Sequence, residues 1–254
     1  AALKATRDYI YTGELGRKIA AFNQETGGLL TEEDLAAYHV QVLPPVSVNY
    51  RGYDVYSTGP WGQGPTFPQA LKILEGFDLA SMGHNSAEYI HTVSQALNLA
   101  FADRNQYVGD PDFVDVPIDQ MLSEEYLSQR RKLIDPEQAW PGTPPAGDPW
   151  NGKATLNGEP QSPKEALTPV GTAGVSGGGT SYFAVIDRDG NIFSSTPSEG
   201  TKNGGPVIPG TGLPNSLRGS QSNLTDGHPA SLAPGKRPRL TPAPALVLRD
   251  GEPV

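Results

Sequence analysis

The chain has 254 residues, enough for a sizeable core and for one or two domains. A formal net charge of −9 excludes the basic face that a phosphate backbone needs, and the absence of Cys excludes a disulfide framework, thiolate metal sites and a cysteine nucleophile. Thirty Gly and 25 Pro cluster in the second half, and no apolar run approaches the roughly 18 residues of a membrane span.

Ala1 lies inside helix-like sequence with no start signal, so the chain reads as an internal fragment. From Glu14 to Thr26, Leu15, Ile19, Ala20 and Phe22 recur at helical spacing, and Gly27-Gly28 supplies a stop. Thr31-Glu32-Glu33-Asp34 reads as a capping box for a short helix through Tyr38. Val46–Tyr50, the Arg51-Gly52 turn and Tyr53–Ser57 predict a hairpin, followed by a Gly- and Pro-rich loop over Gly59–Pro65. A helix is expected from Phe67 to Glu75. The strongest helical pattern is capped at Asn85-Ser86-Ala87-Glu88, with Tyr89, Ile90, Val93, Ala96, Leu97, Ala100 and Phe101 as its expected buried face. Another amphipathic helix is predicted over 123–133.

From Asp135 to Gly174 nothing is periodic, and a long segment of this kind is expected to be functional or mobile. It leads into Ser176-Gly177-Gly178-Gly179-Thr180, then an apolar strand, the Asp187-Arg188-Asp189-Gly190-Asn191 turn and a return strand. Two readings fit this stretch. One is a glycine linker into an ordinary hairpin. The other is a self-cleaving N-terminal nucleophile: glycines tolerate the strained backbone that attack on the preceding carbonyl requires, and the freed α-amine then serves as base for the Thr180 hydroxyl. After another irregular tract, Glu199–Arg239, Ala245–Arg249 and Asp250-Gly251 predict a second hairpin whose partner strand stops at Val254. Helices first and strands later predict an α+β fold.

Other candidate sites are weaker. Gly174-Val175-Ser176-Gly177-Gly178 matches G-x-S-x-G without the strand-then-helix context of a nucleophile elbow. Asp110, Asp112 and Asp115 lack the twelve-residue ligand loop of a Ca²⁺ site and read as a solvated loop or a helix cap. His84 and His91 have no third ligand at metal spacing and read as capping or packing; His39 and His228 are isolated. Lys236-Arg237-Pro238-Arg239 suggests anion or carboxylate contacts.

Gly27–Leu35, Tyr50-Arg51-Gly52-Tyr53, His84–His91, Leu99–Arg104, Gly109–Phe113, Gly179-Thr180-Ser181 and Ala233–Pro238, in that order, resemble the γ-glutamyltransferase family. The resemblance covers nearly the whole chain. It implies a four-layer αββα sandwich of the N-terminal-nucleophile hydrolases, and a precursor that cleaves itself between Gly179 and Thr180. Residues 1–179 would then belong to the large subunit and 180–254 to the small one. Thr180 is the nucleophile it implies, and Ser198 the hydroxyl that polarises it. The activity implied is acyl transfer from γ-glutamyl amides such as glutathione to water or an amino acid, with no cofactor or metal.

Where typical members bind glutamate through Asn, Gln and Asp, this chain places Gly200, Arg218 and Gln221; their Ser-Ser pair is replaced by Leu240-Thr241. Those departures resemble the divergent branch whose members include acylases of other amides, such as cephalosporin side chains. A non-catalytic, unprocessed homologue acting as a binding or scaffold protein is the remaining alternative. The family's carboxylate-gripping Arg would lie before Ala1 and its oxyanion glycines after Val254, so the chain by itself is expected to be inactive. The compartment stays open, with a periplasmic or secreted location favoured by the resemblance alone.

Overall fold

The computed structural model describes residues 1–157, 182–195, 205–216 and 218–254. In chain order the described elements are helices α1 (Ala2–Tyr11), α2 (Glu14–Glu25) and α3 (Glu32–Ala37), then strands β1 (Val46–Tyr50) and β2 (Tyr53–Ser57). Helices α4 (Thr66–Leu74), α5 (Ala87–Tyr107), α6 (Ile118–Met121) and α7 (Glu124–Arg131) follow, then strands β3 (Phe183–Ile186), β4 (Ile192–Ser195), β5 (Ala245–Arg249) and β6 (Glu252–Pro253). The chain divides into two compact units, residues 1–43 with 174–219 and residues 44–173 with 220–254.

In the first unit the capping box forms as the sequence predicts. The Thr31 hydroxyl accepts the Asp34 amide at 3.1 Å, and the Asp34 carboxylate accepts the Thr31 amide at 2.9 Å. Tyr38, just past α3, stacks on Tyr11 with ring centroids 5.6 Å apart. Strands β3 and β4 pair from Phe183↔Ser195 to Ile186↔Ile192. Their turn is tied by Asp187, whose carboxylate accepts the Asn191 side chain at 2.8 Å and the Asp189 and Asn191 amides at 2.9 Å. The Asn191 side-chain and backbone donors hold the Asp187 carboxyl below its usual range.

The second unit contains an antiparallel sheet in the order β1-β2-β5-β6. Arg51 and Gly52 both take left-handed backbone angles, φ 53° and 88°, as a two-residue hairpin turn requires. A non-glycine residue is strained there, and Arg51 is held by its own guanidinium, which donates to the Phe77 carbonyl at 2.5 Å. The core lies among Ile73, Leu74, Ala96, Leu99, Leu127, Leu133, Trp140 and Ala154. Ser86 and Ser123 cap α5 and α7, accepting the Tyr89 and Tyr126 amides at 3.0 and 3.3 Å.

One expectation is corrected here. The buried face of α5 keeps Ala96 and Ala100 but otherwise runs through Thr92, Gln95, Leu99, Ala102, Asp103 and Tyr107. Ile90, Leu97 and Phe101 are exposed. The helix is rotated because its buried polar groups find partners. Asp103, fully buried, accepts Gln69 Nε2 at 2.6 Å, the Tyr126 hydroxyl at 2.7 Å, the Gly147 amide at 2.9 Å and Arg130 at 3.0 Å.

The described part of the aperiodic segment, residues 135–157, packs on the core, to which Trp140 and Ala154 belong. Arg130 donates to the Pro145 and Ala154 carbonyls at 2.9 and 2.7 Å, and the Tyr107 hydroxyl donates to the Gly147 carbonyl at 2.6 Å. Asp148 and Lys153 pair in a short antiparallel bridge, and side chains of α5 and α7 satisfy carbonyls that it does not reach. Residues 158–174 lie outside the described part.

Candidate functional site

Gly179, Thr180, Ser198 and Gly200 lie outside the described residues, as does the G-x-S-x-G stretch. What is described is the hairpin that the nucleophile was expected to open, β3–β4, beginning at Phe183. Arg218 and Gln221 are the two ends of one 3-10 turn. The Gln221 side-chain oxygen is buried without a hydrogen-bond partner among the described residues.

Leu240 and Thr241 are placed by contacts that the sequence does not announce. The Leu240 carbonyl accepts the Gln63 amide at 3.1 Å, and Gly62 bridges Leu240 in parallel. The Gln63 side chain donates to the Thr241 carbonyl, and the Ser57 hydroxyl donates to the Pro244 carbonyl at 3.1 Å. The loop over Gly59–Pro65 and the segment after Arg239 are thus clipped together. The structure makes neighbours of that loop and of the Leu240-Thr241 pair, the departure from the Ser-Ser of typical members. Gln63 was missed as the residue that joins them; nothing local in the sequence signals a partner so distant.

A second junction joins Gly109–Phe113 to Ala233–Pro238. Asp110 accepts the Arg237 amide at 2.9 Å and the Arg237 guanidinium, which also reaches Asp112 at 3.1 Å. Burial pushes the Asp110 carboxyl up, but the side-chain and backbone donors of Arg237 outweigh it, with help from the Asp112 amide, and the net shift is downward. The solvated-loop reading of Asp110 is therefore corrected to a buried ion pair, 1% exposed on the carboxylate side. A Cβ on Gly109 would run into the Pro229 carbonyl, so the glycine allows this close approach. The expected carboxylate role of the Lys-Arg-Pro run holds at Arg237. Among the described residues no group of three or more His, Asp or Glu could hold a metal ion. His91 is tied to the Asp135 carbonyl at 2.7 Å, a packing role, and the His84 ring pairs with the adjacent Asn85 side chain at 3.1 Å, while Ser86 caps α5.

The chain is similar to known proteins over nearly its whole length. The Gamma-glutamyltranspeptidase family model matches residues 3–254. An acylase ACY 1 proenzyme of Pseudomonas sp. (strain SE83) is 34% identical over 252 residues, covering 96% of this chain and 39% of that protein. A glutathione hydrolase proenzyme of Escherichia coli (strain K12) is 31% identical, covering 96% of this chain and 40% of that protein. Among solved structures, a cephalosporin acylase from Bacillus halodurans superposes with a TM-score of 0.75 at 33% identity, over 97% of this chain and 40% of its own. The chain thus spans about two fifths of the length of these relatives. It shares their α+β N-terminal-nucleophile hydrolase fold, forming part of it. With a family match across almost every residue and motifs from both ends meeting at Asp110 and Arg237, the chain belongs to the gamma-glutamyltranspeptidase family.

Proposed function

We propose that the full-length protein is a self-processing N-terminal-threonine amide hydrolase and acyltransferase, cut between Gly179 and Thr180. The observation that carries this is a family match running unbroken across a Gly-Gly-Gly-Thr junction, with relatives that are proenzymes. Residues 1–179 supply part of the large subunit and 180–254 part of the small one.

The second unit is compatible with a cut there, because its sheet and its ion pair draw on both sides of the junction. Strand β5 pairs with β2 from Asp54↔Leu248 to Ser57↔Ala245, and Arg237 pairs with Asp110. Cleavage would leave these contacts standing.

In turnover the Thr180 Oγ attacks the amide carbonyl while the Thr180 α-amine takes its proton. That amine has an ordinary pKa of about 8 and is partly neutral near pH 7. The tetrahedral species expels the amine, which receives the proton, and leaves an acyl ester on Thr180. Water or an amino acid then attacks the ester with the α-amine again as base, freeing the Thr180 hydroxyl. Ser198 polarises the nucleophile, and Gly200, Arg218, Gln221, Leu240 and Thr241 line the acyl donor. The donor is a γ-glutamyl amide such as glutathione.

A second donor class is favoured by one observation. Leu240 offers an apolar side chain where typical members carry Ser, and its carbonyl and that of Thr241 are occupied by Gln63. An acylase acting on non-γ-glutamyl amides fits such a site, and relatives include an acylase of Pseudomonas sp. and a cephalosporin acylase of B. halodurans.

Intact mass and N-terminal sequencing of the full-length protein, beside Thr180→Ala, test the proposal. Two pieces from the wild type, the smaller starting Thr180-Ser181-Tyr182, and one from the variant are expected. A single chain from both would overturn it and leave a binding homologue. Initial rates on a γ-glutamyl anilide against glutaryl and adipyl anilides then assign the donor class.

A further inference from the structure

Residues 240–244 read Leu-Thr-Pro-Ala-Pro, and two prolines without N–H groups keep the segment from building a ladder of its own. Three of its carbonyls are met by residues far back in the chain. Gln63 donates twice, through its backbone amide to Leu240 at 3.1 Å and through its side chain to Thr241. The Ser57 hydroxyl donates to Pro244 at 3.1 Å. The two carbonyls that Gln63 holds flank the α-carbon of Thr241, and one of them ends Leu240. They fix the backbone from which both side chains project, since each residue has only two soft dihedrals.

Gln63 is itself held from the side of the core. Its carbonyl accepts the Thr66 amide at 3.1 Å in the first turn of α4, and α4 carries Ile73 and Leu74 into the core. The amide, the carbonyl and the side-chain NH2 of one residue are thus all spent on this junction. The loop around it has glycine at 59, 62 and 64, and it closes because Gly64 lies against Thr58, where a Cβ would run into the Thr58 carbonyl. The β2–β5 ladder, from Asp54↔Leu248 to Ser57↔Ala245, already places β5. The Gln63 side chain is therefore not needed to hold the strand; it governs the residues ahead of it.

We infer that Gln63 is a positioning residue of the proposed acyl-donor site, setting where the Leu240 and Thr241 side chains stand. The inference rests on the proposed function, which puts those two residues beside the acyl donor and Gln63 on the other side of the cut from them. One subunit then supplies the wall that the donor meets, and the other fixes its place. Gln63 acts on donor binding through residues 240 and 241, and not on the chemistry at Thr180.

The test uses the full-length protein with two substitutions. Gln63→Met keeps the length of the side chain without its donor, and Gln63→Glu keeps its shape but sets a carboxylate against the Thr241 carbonyl. Intact mass shows whether each is cut into two pieces, and either variant that is cut carries the test. Failure of both to be cut would give Gln63 a folding role and overturn the inference. KM and kcat are measured on whichever of the γ-glutamyl, glutaryl and adipyl anilides the wild type turns over fastest. Gln63→Met is expected to raise KM about five- to tenfold, and Gln63→Glu by more, with kcat within about threefold. In a chain carrying Leu240→Ala and Thr241→Ala, Gln63→Met has no side chain left to position and is expected to change KM by less than about twofold. An unchanged KM, a fall in kcat without a rise in KM, or the same rise in both backgrounds would overturn the inference and leave the proposed function standing. A wild type that turns over none of the anilides would overturn the proposed donor classes and this inference with them.

Discussion

Arg237 meets Asp110 twice, once through its guanidinium and once through its backbone amide at 2.9 Å, across 127 residues of chain. The backbone bond fixes the position of the whole Lys-Arg-Pro run, and the side-chain bond neutralises a carboxylate that is almost fully buried. Arg237→Met is expected to destabilise the protein by about 2–4 kcal/mol, because a buried charge loses its partner. Asp110→Asn, which keeps an acceptor for the amide, is expected to cost less. Urea denaturation at pH 7 measures both, and negligible losses in both would mean that the amide bond alone holds the junction.

Acid should act through the same carboxylate. The folded Asp110 pKa lies below its ordinary value of about 4, so its contribution is complete above that pH and is lost as pH falls through the folded value. The wild type is therefore expected to lose more stability than Asp110→Asn between about pH 4 and pH 2. A matching slope in the two proteins would remove Asp110 from the acid transition.

His228 predicts a separate slope at milder pH. Its folded pKa is below about 6.5, so the unfolded chain takes the proton first and stability declines as pH drops from there. In His228→Gln the decline between about pH 6.5 and the folded pKa should flatten. Melting curves taken at half-unit steps would show it, and an unchanged slope would place the titration elsewhere.

The Asp103–Arg130 pair, 3.0 Å apart and fully buried, predicts a larger effect. Arg130→Met leaves Asp103 unpaired and withdraws donors from the Leu99, Pro145 and Ala154 carbonyls. A loss of about 3–5 kcal/mol is expected, and Asp103→Asn in the same chain should restore part of it. Strict additivity of the two substitutions in a denaturation cycle would contradict their coupling.

Glycine at position 109 is required by proximity rather than by backbone angle. Gly109→Ala is expected to cost about 1–3 kcal/mol, since the Pro229 carbonyl is backbone and cannot swing away. Gly219→Ala, with open space around it, should stay within about 0.5 kcal/mol. Similar values for the two in urea melts would show that the Pro229 segment moves freely.

Features that close over a few residues were legible in the sequence. The Thr31 capping box, the Arg51-Gly52 hairpin, the Ser86 and Ser123 caps and the Asp187 turn depend on donors and acceptors within about four positions, and the chain carries both halves locally. A glycine run and a hydroxyl, read beside the family motifs, mark Thr180 as the expected nucleophile, and that residue lies outside the described part. Tertiary structure decided the rest. Which face of α5 is buried followed from whether Gln95 and Asp103 find partners, a question that apolar spacing does not pose. The ordering of residues 135–157 came from Arg130 and Tyr107 reaching its carbonyls, and the addition of β5 to β2 from an edge offered by a distant hairpin. Burial makes an unpaired polar group costly, so each such group must be met from wherever the chain can supply a partner, and only the folded arrangement determines from where.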